Sequence, residues 1–308
     1  MILYIKGDLF QSPAQVLVNP VNTVGVMGKG LALDFKHLLP EMYRQYRILC
    51  ERKQFFIGQL WLYKSPQKWV LNFPTKKHWR LPSRVEYIEA GLRKFVQVYS
   101  KWGIRSIAFP PLGCGNGQLD FRTQVMPLME EYLRPLPIDI FIYIYSKKKN
   151  SSKQQIDTNA MKAWLQSKPV KIPFSNVWHD LVTLLQAKRE FETITHGNVF
   201  TALVTDDPPG LQIRAPGGDY HVHYEVLRSF GQQLQTLGVF MHNMPSEVNQ
   251  KMFYYIAPIF AELPYIIPAP IAEKYDHLEK DTATGLQILP IALSRQQNPT
   301  QFSLFPLE

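Results

Sequence analysis

The segment AQVLVNPVNTVGVMGKGLALDFK, residues 14–36, indicates an α/β fold, because it places an apolar strand, a glycine loop and an amphipathic helix in that order. Three glycines fall within six residues of it, and a lysine stands between two of them. A glycine loop that opens a helix is typical of a phosphate site, since backbone N–H groups and the helix dipole favour an anion there. The spacing fits neither the Walker loop nor the dinucleotide fingerprint G-x-G-x-x-G. We therefore predict a phosphate loop of a different kind.

The alternation of strand-like and helix-like segments continues on both sides of this stretch. From the N-terminus to residue 146 the apolar pattern switches repeatedly between periods of about 2 and about 3.6. Such switching indicates helices on both faces of a largely parallel, buried sheet. We predict a three-layer α/β/α domain with a mixed central sheet over residues 1–146, a basic linker over 147–156, a smaller α+β domain over 157–267 and an extended tail over 268–308.

The composition, with 45% apolar and 13% aromatic residues, is that of a soluble globular protein. No window approaches the roughly 20 apolar residues that span a bilayer, and the N-terminus lacks a signal-peptide pattern. Cys50 and Cys114 are too few for a disulfide framework and lack metal-ligand spacing, which fits a reducing compartment. We expect a cytoplasmic protein that needs no metal and no cofactor and has no membrane partner.

The charge is distributed unevenly along the chain. Residues 1–146 carry 19 Lys and Arg against 10 Asp and Glu, a net +9, and residues 147–156 add four lysines. Residues 157–308 carry 11 basic against 15 acidic residues, a net −4. The basic first half points to a polyanionic partner, although a basic surface without any specific partner remains an open alternative.

A second glycine cluster, FPPLGCGNGQLD at residues 109–120, also follows a strand-like run and precedes a helix. Gly113, Gly115 and Gly117 alternate, so the backbone can turn tightly and approach a ligand closely. If both glycine loops lie at the carboxyl edge of one sheet, they can hold the two ends of a diphosphate. The alternative is that both are tight turns without a ligand.

Three segments together resemble a known family: YIKGDLF at residues 4–10, VNPVNTVGVMGKGLALDFK at 18–36 and AFPPLGCGNGQL at 108–119. They resemble the macrodomain, an ADP-ribose-binding module, over residues 1–146. LNFPTKKHWR at residues 71–80, with the first glycine loop, resembles the branch that includes the DarG antitoxins and the terminal ADP-ribose glycohydrolases. The resemblance implies an ADP-ribosyl glycohydrolase that removes ADP-ribose from thymine in DNA, as the antitoxin of a DNA ADP-ribosyltransferase. An ADP-ribose-binding module without turnover and a hydrolase of protein-linked ADP-ribose remain alternatives.

The resemblance also implies a role for individual residues. Asp8 would bind the adenine amino group and Leu9 would lie beside the ring, while Asn22 and Lys76 would be catalytic at the distal ribose. The ADP-ribose-binding positions that it implies are Asp8, Leu9, Asn19, Gly28, Gly30, Leu31, Thr75, Gly113, Cys114, Gly115, Asn116 and Gly117.

Lys76 follows an apolar strand, so partial burial should lower its pKa, and the amine can act as a nucleophile or as an acid. Protein-deglycosylating relatives carry an acidic residue where this chain has Asn116, so a mechanism that needs a lysine and carboxylate pair is in doubt. We interpret Lys77 and Arg80 as solvated or phosphate-facing residues, and His78 as structural.

The second half is assigned by its position in the chain. In the DarG branch a C-terminal domain binds the toxin, which implies that residues 157–308 bind a partner ADP-ribosyltransferase, and a net acidic module suits a basic partner. His221 and His223 form a weak metal pattern and better fit the polar face of a strand. Gln301, Leu304 and Phe305 in QFSLFPLE resemble a peptide that docks on the replication sliding clamp, and the alternative is a tail that packs its own phenylalanines.

Overall fold

The structure is a computed structural model that describes residues 1–145, 158–167, 172–241, 244, 246–279 and 284–290 of the 308-residue chain. The chain divides into two compact units, Met1–Pro169 and Val170–Glu308. The predicted linker over 147–156 and the predicted clamp peptide lie outside the described residues. In the described ranges, every helix is too short or too polar to cross a membrane.

The first unit is an α/β domain. Its strands are β1 (Ile2–Lys6), β2 (Val16–Asn22), β3 (Trp61–Lys64), β4 (Trp69–Lys76), β5 (Ser106–Phe109) and β6 (Asp139–Ile144). Its helices are α1 (Gly30–Leu38), α2 (Pro40–Glu51), α3 (Val85–Val98), α4 (Met126–Leu133) and α5 (Thr158–Gln166), with a 3₁₀ turn at Leu9–Gln11 and a π-helical turn at Phe121–Val125.

The strands of this unit pair in the order β1-β6-β5-β2-β4-β3. Every pair in that order is parallel except β3 with β4, so the predicted mixed central sheet is confirmed. The connection from β2 to β4 runs along the sheet in the opposite direction to those from β4 to β5 and from β5 to β6. Because such crossovers are right-handed, α1 and α2 lie on one face of the sheet and α3 and α4 lie on the other.

Close packing of α3 on β4 depends on one small residue. A Cβ at Gly91 would lie 2.1 Å from Cζ of Phe73, so only glycine lets the helix approach the sheet this closely. Both residues are fully buried, and the apolar runs in the strands reflect a sheet that is covered on both faces.

The pairing of β2 with β4 is interrupted near the end of both strands. Val21 pairs with Pro74, but the next residue, Asn22, pairs with Lys76, so Thr75 is an extra residue on β4. This bulge brings Asn22 and Lys76 side by side where the two strands end.

Helix α5 belongs to the first unit, although the sequence analysis placed residues from 157 onward in the second domain. Met161, Trp164 and Leu165 share one face of α5 and are buried. They line a cavity together with Lys68, whose Nζ donates a hydrogen bond to the carbonyl of Ala14. The apolar face of this short helix packs within the first unit, which the pattern of the helix itself could not reveal.

The second unit contains α6 (Phe174–Ala187), β7 (Glu190–Glu192), β8 (Val199–Asp206), β9 (Pro209–Ala215), β10 (Gly218–His223), α7 (Tyr224–Leu237), β11 (Val239–Met241), α8 (Gln250–Ala261), β12 (Ile266–Ala269), β13 (Ile271–Ala272), α9 (Tyr275–Glu279) and β14 (Gly285–Ile288). One antiparallel sheet has the order β10-β9-β8-β7, and another has the order β11-β14-β12. The predicted α+β character is confirmed.

Part of the predicted extended tail has regular structure. Residues 268–279 and 284–288 contribute strands and a short helix, and β14 is the central strand of its sheet because it pairs with both β11 and β12; its Leu286 and Ile288 are buried. His221 and His223 lie on β10, and Nε2 of His221 lies 3.0 Å from Oγ1 of Thr205. Among the residues that the structure describes, no group of three potential ligand side chains could hold a metal ion.

Candidate functional site

Three parallel strands end at the same edge of the first unit's sheet, and the candidate site lies there. The first glycine loop follows β2, Lys76 ends β4, and the second glycine loop follows β5. The carboxyl edge of a largely parallel sheet is where such folds bind ligands. The structure therefore brings together the two loops and the lysine that the sequence analysis singled out.

The side chain of Asn22 holds the first loop in place. Its amide nitrogen donates to the carbonyl of Val26 at 2.5 Å, and its amide oxygen accepts from the N–H groups of Val24 and Val26 at 3.1 and 3.2 Å. Gly25 and Gly30 have φ values of +80° and +55°, which favour glycine. Asn22 is 6% exposed, so its first role in this structure is to shape the loop.

Neighbouring elements fix this loop from outside. The hydroxyl of Tyr46 in α2 donates to the carbonyl of Asn22 at 2.6 Å. Oγ1 of Thr23 donates to the carbonyl of Lys77 at 2.8 Å, which ties the loop to the segment after β4. Tyr46 could not be predicted from the sequence, because nothing in the pattern of α2 distinguishes it from other core aromatics.

The second loop is closed by contacts that exclude side chains. Gly113 has a φ of +72°. At Gly117 a Cβ would lie 2.1 Å from the carbonyl oxygen of Gly113 and 2.3 Å from Oγ of Ser83. The N–H of Ser83 donates to the carbonyl of Gly117 at 3.0 Å, and the N–H of Leu119 donates to the carbonyl of Gly113 at 3.1 Å.

Ser83 is a further residue of the site that was not predicted from the sequence. It is 5% exposed, and within the described part of the chain its hydroxyl has no hydrogen-bond partner. A buried hydroxyl without a partner is uncommon, and this one lies against the second loop. Its only signal in the sequence is its place at the end of the polar segment between β4 and α3.

The two loops and Lys76 meet at Asn116. A Cβ built on Gly30 would lie 3.3 Å from Nδ2 of Asn116, so the first loop abuts the second. Nζ of Lys76 donates a hydrogen bond to the backbone carbonyl of Asn116. Partial burial lowers the pKa of Lys76 below that of a solvated lysine. A lysine with a perturbed pKa thus stands between two loops that are rich in backbone N–H groups.

The adenine side of the expected site is formed at the end of β1. The carboxylate of Asp8 accepts a hydrogen bond from the N–H of Phe10 at 3.0 Å and caps the 3₁₀ turn. Desolvation by the surrounding protein raises the pKa of Asp8, and the negative charge of Asp34 adds to that effect. Leu9 is buried, and Leu31 at the start of α1 is half-buried.

Three of the expected ligand-binding side chains are turned away from solvent or engaged elsewhere. Asn19 is fully buried and its amide nitrogen donates to Oδ1 of Asn72 at 3.0 Å. Thr75 is also buried, as the extra residue of the bulge. Sγ of Cys114 lies 3.3 Å from the carbonyl of Leu112, and burial raises the pKa of this thiol to about 12, which makes it unreactive at neutral pH.

Known proteins match this chain in the same region, the first unit. Residues 18–126 match the Macro domain family. Over 148 residues the chain is 45% identical to a DNA ADP-ribosyl glycohydrolase of Thermus aquaticus, and this match covers 46% of the chain and 41% of that protein. It is 41% identical over 164 residues to a DNA ADP-ribosyl transferase-DNA ADP-ribosyl glycohydrolase fusion protein of Thermosipho africanus, covering 47% of the chain and 42% of that protein.

Among solved structures, the macrodomain of Thermus aquaticus DarG is 44% identical, with a TM-score of 0.45 over 47% of this chain and 98% of that one. The matched region thus spans about two fifths of the length of these curated relatives.

Proposed function

We propose that this chain, whose residues 18–126 match the Macro domain family within the macrodomain that the sequence predicted over 1–146, removes ADP-ribose from DNA bases and acts as the antitoxin of a DNA ADP-ribosyltransferase. The observation that carries the proposal is the position of Lys76 beside Asn22 at the ends of adjacent strands, with its Nζ bonded to the second glycine loop. The name of the Thermus aquaticus relative, 45% identical in this region, supports a glycohydrolase that acts on DNA.

ADP-ribose would lie along the carboxyl edge of the sheet. Asp8 would accept from the adenine amino group with Leu9 and Leu31 as apolar neighbours, and the two loops would hold the diphosphate from opposite sides. The backbone of Gly28 and Gly30 on one side and of residues 113–117 on the other offers N–H groups to the phosphates. Because the side chains of Asn19 and Thr75 are buried, their part in this proposal is to support the loop geometry.

Lys76 would carry the chemistry at the distal ribose. As a nucleophile, its neutral amine forms a bond to the anomeric carbon while the bond from that carbon to the base breaks, and the base leaves with the electron pair and takes a proton from water. The lone pair of the bound nitrogen then opens the ribose ring, the ring oxygen takes a proton, and an imine forms between Lys76 and the anomeric carbon. Water attacks that carbon, the lysine leaves as the amine, and the ribose ring closes again. As an acid, the ammonium protonates the departing base instead. The lowered pKa of Lys76 makes the neutral amine more available than on an exposed lysine.

Asn22 would position the reaction and contribute no proton. Its amide is used in three hydrogen bonds within the first loop, which keep that loop and the ribose site rigid. Asn116 cannot act as a base, but its backbone carbonyl holds Nζ of Lys76, and this holding role needs no acidic side chain. The proposed mechanism therefore relies on Lys76 alone for proton transfer or covalent attack.

The test compares Lys76→Ala with Lys101→Ala, an exposed lysine before the amino end of β5. The substrate is a single-stranded oligonucleotide that carries ADP-ribose, and released ADP-ribose is measured by chromatography. We expect Lys76→Ala to lose roughly 10²- to 10⁴-fold in release while it keeps ADP-ribose affinity. Release of ADP-ribose by Lys76→Ala at the wild-type rate would contradict the mechanism. If the wild-type chain binds ADP-ribose but releases none from DNA, it is a binding module. If it releases ADP-ribose faster from a modified protein carboxylate than from DNA, its substrate is protein.

Borohydride reduction separates the two roles of Lys76. If the amine attacks the ribose, reduction during turnover traps an adduct on Lys76 that peptide mass spectrometry detects. If it acts as an acid, the same treatment leaves the lysine unmodified and turnover intact.

We infer that residues 157–308 bind the partner ADP-ribosyltransferase. The Thermosipho africanus relative is named as a fusion of the transferase and the glycohydrolase, and the net charge of −4 suits a basic, DNA-binding partner. Co-purification of the full chain with an inactive transferase tests this, and a chain that never retains it contradicts it. Cytoplasmic location and clamp binding through Gln301, Leu304 and Phe305 stay predictions, the latter tested by competition with a known clamp-binding peptide.

A further inference from the structure

We propose that Trp79 and Arg80 form a stacking platform for a base of single-stranded DNA that flanks the modified nucleotide. The inference deepens the proposed function and rests on it for the identity of the polymer. Trp79 is 46% exposed and Leu81 is 53% exposed, so two large apolar side chains face solvent within three residues. Large apolar side chains that are exposed together often mark an interaction site, whereas a single exposed leucine is ordinary.

The groups around Trp79 already form a short stack. The rings of His78 and Trp79 are 5.4 Å apart with an interplanar angle of 27°. The guanidinium of Arg80 lies 4.4 Å from the Trp79 ring. Aromatic rings and guanidinium planes are the surfaces on which proteins stack unpaired bases, and they do so without reading the sequence. A base would extend this stack on the exposed part of Trp79, with Arg80 free to turn towards a neighbouring phosphate.

The platform is held at a fixed place relative to the site. At its start, the carbonyl of Lys77 accepts from Thr23 in the first glycine loop at 2.8 Å. At its end, the N–H of Ser83 donates to Gly117 in the second loop at 3.0 Å. The segment 77–83 therefore arches between the two loops and begins directly after Lys76. A strand whose modified base reaches Lys76 would place its next nucleotide near Trp79.

The charge of this region fits a polyanion. The segment 76–84 contains no aspartate or glutamate, and it contains the basic residues Lys76, Lys77, Arg80 and Arg84. Lys77 and Arg84 both lie over the ring of Tyr87, at 5.7 and 5.9 Å from its centroid. Basic groups interleaved with aromatic rings are typical of single-stranded nucleic-acid surfaces. The prediction that Lys77 and Arg80 are solvated or phosphate-facing is compatible with this arrangement.

The test measures binding of the full chain to a labelled 12-nucleotide oligothymidylate without ADP-ribose, by fluorescence anisotropy. Trp79→Ala is compared with Trp79→Phe and with Trp102→Ala, a half-buried tryptophan before the amino end of β5. We expect Trp79→Ala to weaken binding roughly 5- to 150-fold, as for loss of one stacked base, and the other two variants to stay near wild type.

Salt dependence separates stacking from charge. Arg80→Gln should reduce the slope of log affinity against log salt by about 0.7, whereas Trp79→Ala should leave the slope unchanged. Thermal unfolding of each variant verifies that it is folded. Equal DNA binding by Trp79→Ala and Trp102→Ala would overturn the proposal, as would a loss of transferase binding in place of DNA binding.

Hydrolysis distinguishes this proposal from the proposed function. On an ADP-ribosylated 12-mer, Trp79→Ala should lower kcat/KM by the same factor as it lowers affinity, and on an ADP-ribosylated nucleoside it should act like wild type. An equal loss on both substrates would assign Trp79 to the ADP-ribose site and overturn the platform. If the wild type hydrolyses neither substrate while DNA binding still depends on Trp79, the proposed function fails and the platform stands.

Discussion

The second glycine loop has no room for a side chain at Gly117. The variant Gly117→Ala tests whether the site depends on the close packing of Gly117 against Gly113 and Ser83. A Cβ there would lie 2.1 Å from the carbonyl oxygen of Gly113 and 2.3 Å from Oγ of Ser83. Gly115 is the matched control, because a Cβ at that position meets no atom of the described chain within 4 Å. We expect Gly117→Ala to open the loop and Gly115→Ala to leave the fold unchanged.

The size of the effect follows from the hydrogen bonds around the clash. Real Cβ contacts essentially never fall below 3.0 Å, so the Gly113 carbonyl must retreat by about 0.9 Å. That carbonyl accepts from Leu119, and the carbonyl of Gly117 accepts from Ser83, so both bonds are strained or lost. At about 1 kcal/mol each, with added overpacking strain, the free energy of unfolding should fall by about 2–3 kcal/mol.

The assay is thermal unfolding of the full chain, followed by calorimetric titration with ADP-ribose. For a unit of this size the predicted loss lowers Tm by about 4–12 °C. The Gly117→Ala variant should also lose measurable ADP-ribose binding at temperatures where it remains folded. If its Tm lies within about 1 °C of that of Gly115→Ala, the loop accommodates a methyl group and the steric argument is wrong.

Three further predictions concern the same unit. Asn22→Ala removes the amide contacts to the first loop, so it should cost about 1–3 kcal/mol in urea denaturation; a variant as stable as wild type would contradict this. Gly91→Ala should cost about 1–3 kcal/mol through its clash with Phe73, and Phe73→Leu in the same chain should recover part of that loss. Burial lowers the pKa of Lys68 to about 7, so between pH 7 and 9 the folded state binds fewer protons than the unfolded state. Stability should therefore rise with pH in that window, and Lys68→Met should abolish the rise; parallel pH curves for the two chains would refute this.

The strands, helices and loops of the first unit could be predicted because each leaves a local signal. Both faces of the sheet are covered, so its strands are continuous apolar runs, and glycines mark the loops where φ is positive. The position of Lys76 at the end of a strand could be predicted because it closes such a run, whereas its catalytic role rests on the family resemblance and stays a proposal. These features are determined by residues that are close together in the sequence, so the sequence pattern reveals them.

What escaped prediction depends on contacts between distant segments. The sequence shows that α5 has an apolar face, but only the structure shows that this face packs within the first unit. Ser83 and Tyr46 support loops that lie 34 and 24 residues away, at Gly117 and Asn22. Family resemblance assigned Asn19 a ligand contact, but the direction of a side chain depends on the pleat of its strand, and here it points into the core.

Because of the bulge beside Asn22, the position of the Lys76 side chain depends on the number of residues in β4. Side chains alternate along a strand, so in a regular ladder Asn22 would face Thr75, whose side chain is buried. A scan of substitutions along β4 changes only side chains and cannot expose this dependence. Deleting Thr75 would move Lys76 into the buried position without changing any other letter. Transplanting this site to another scaffold therefore requires copying the irregular spacing of two strands along with the lysine.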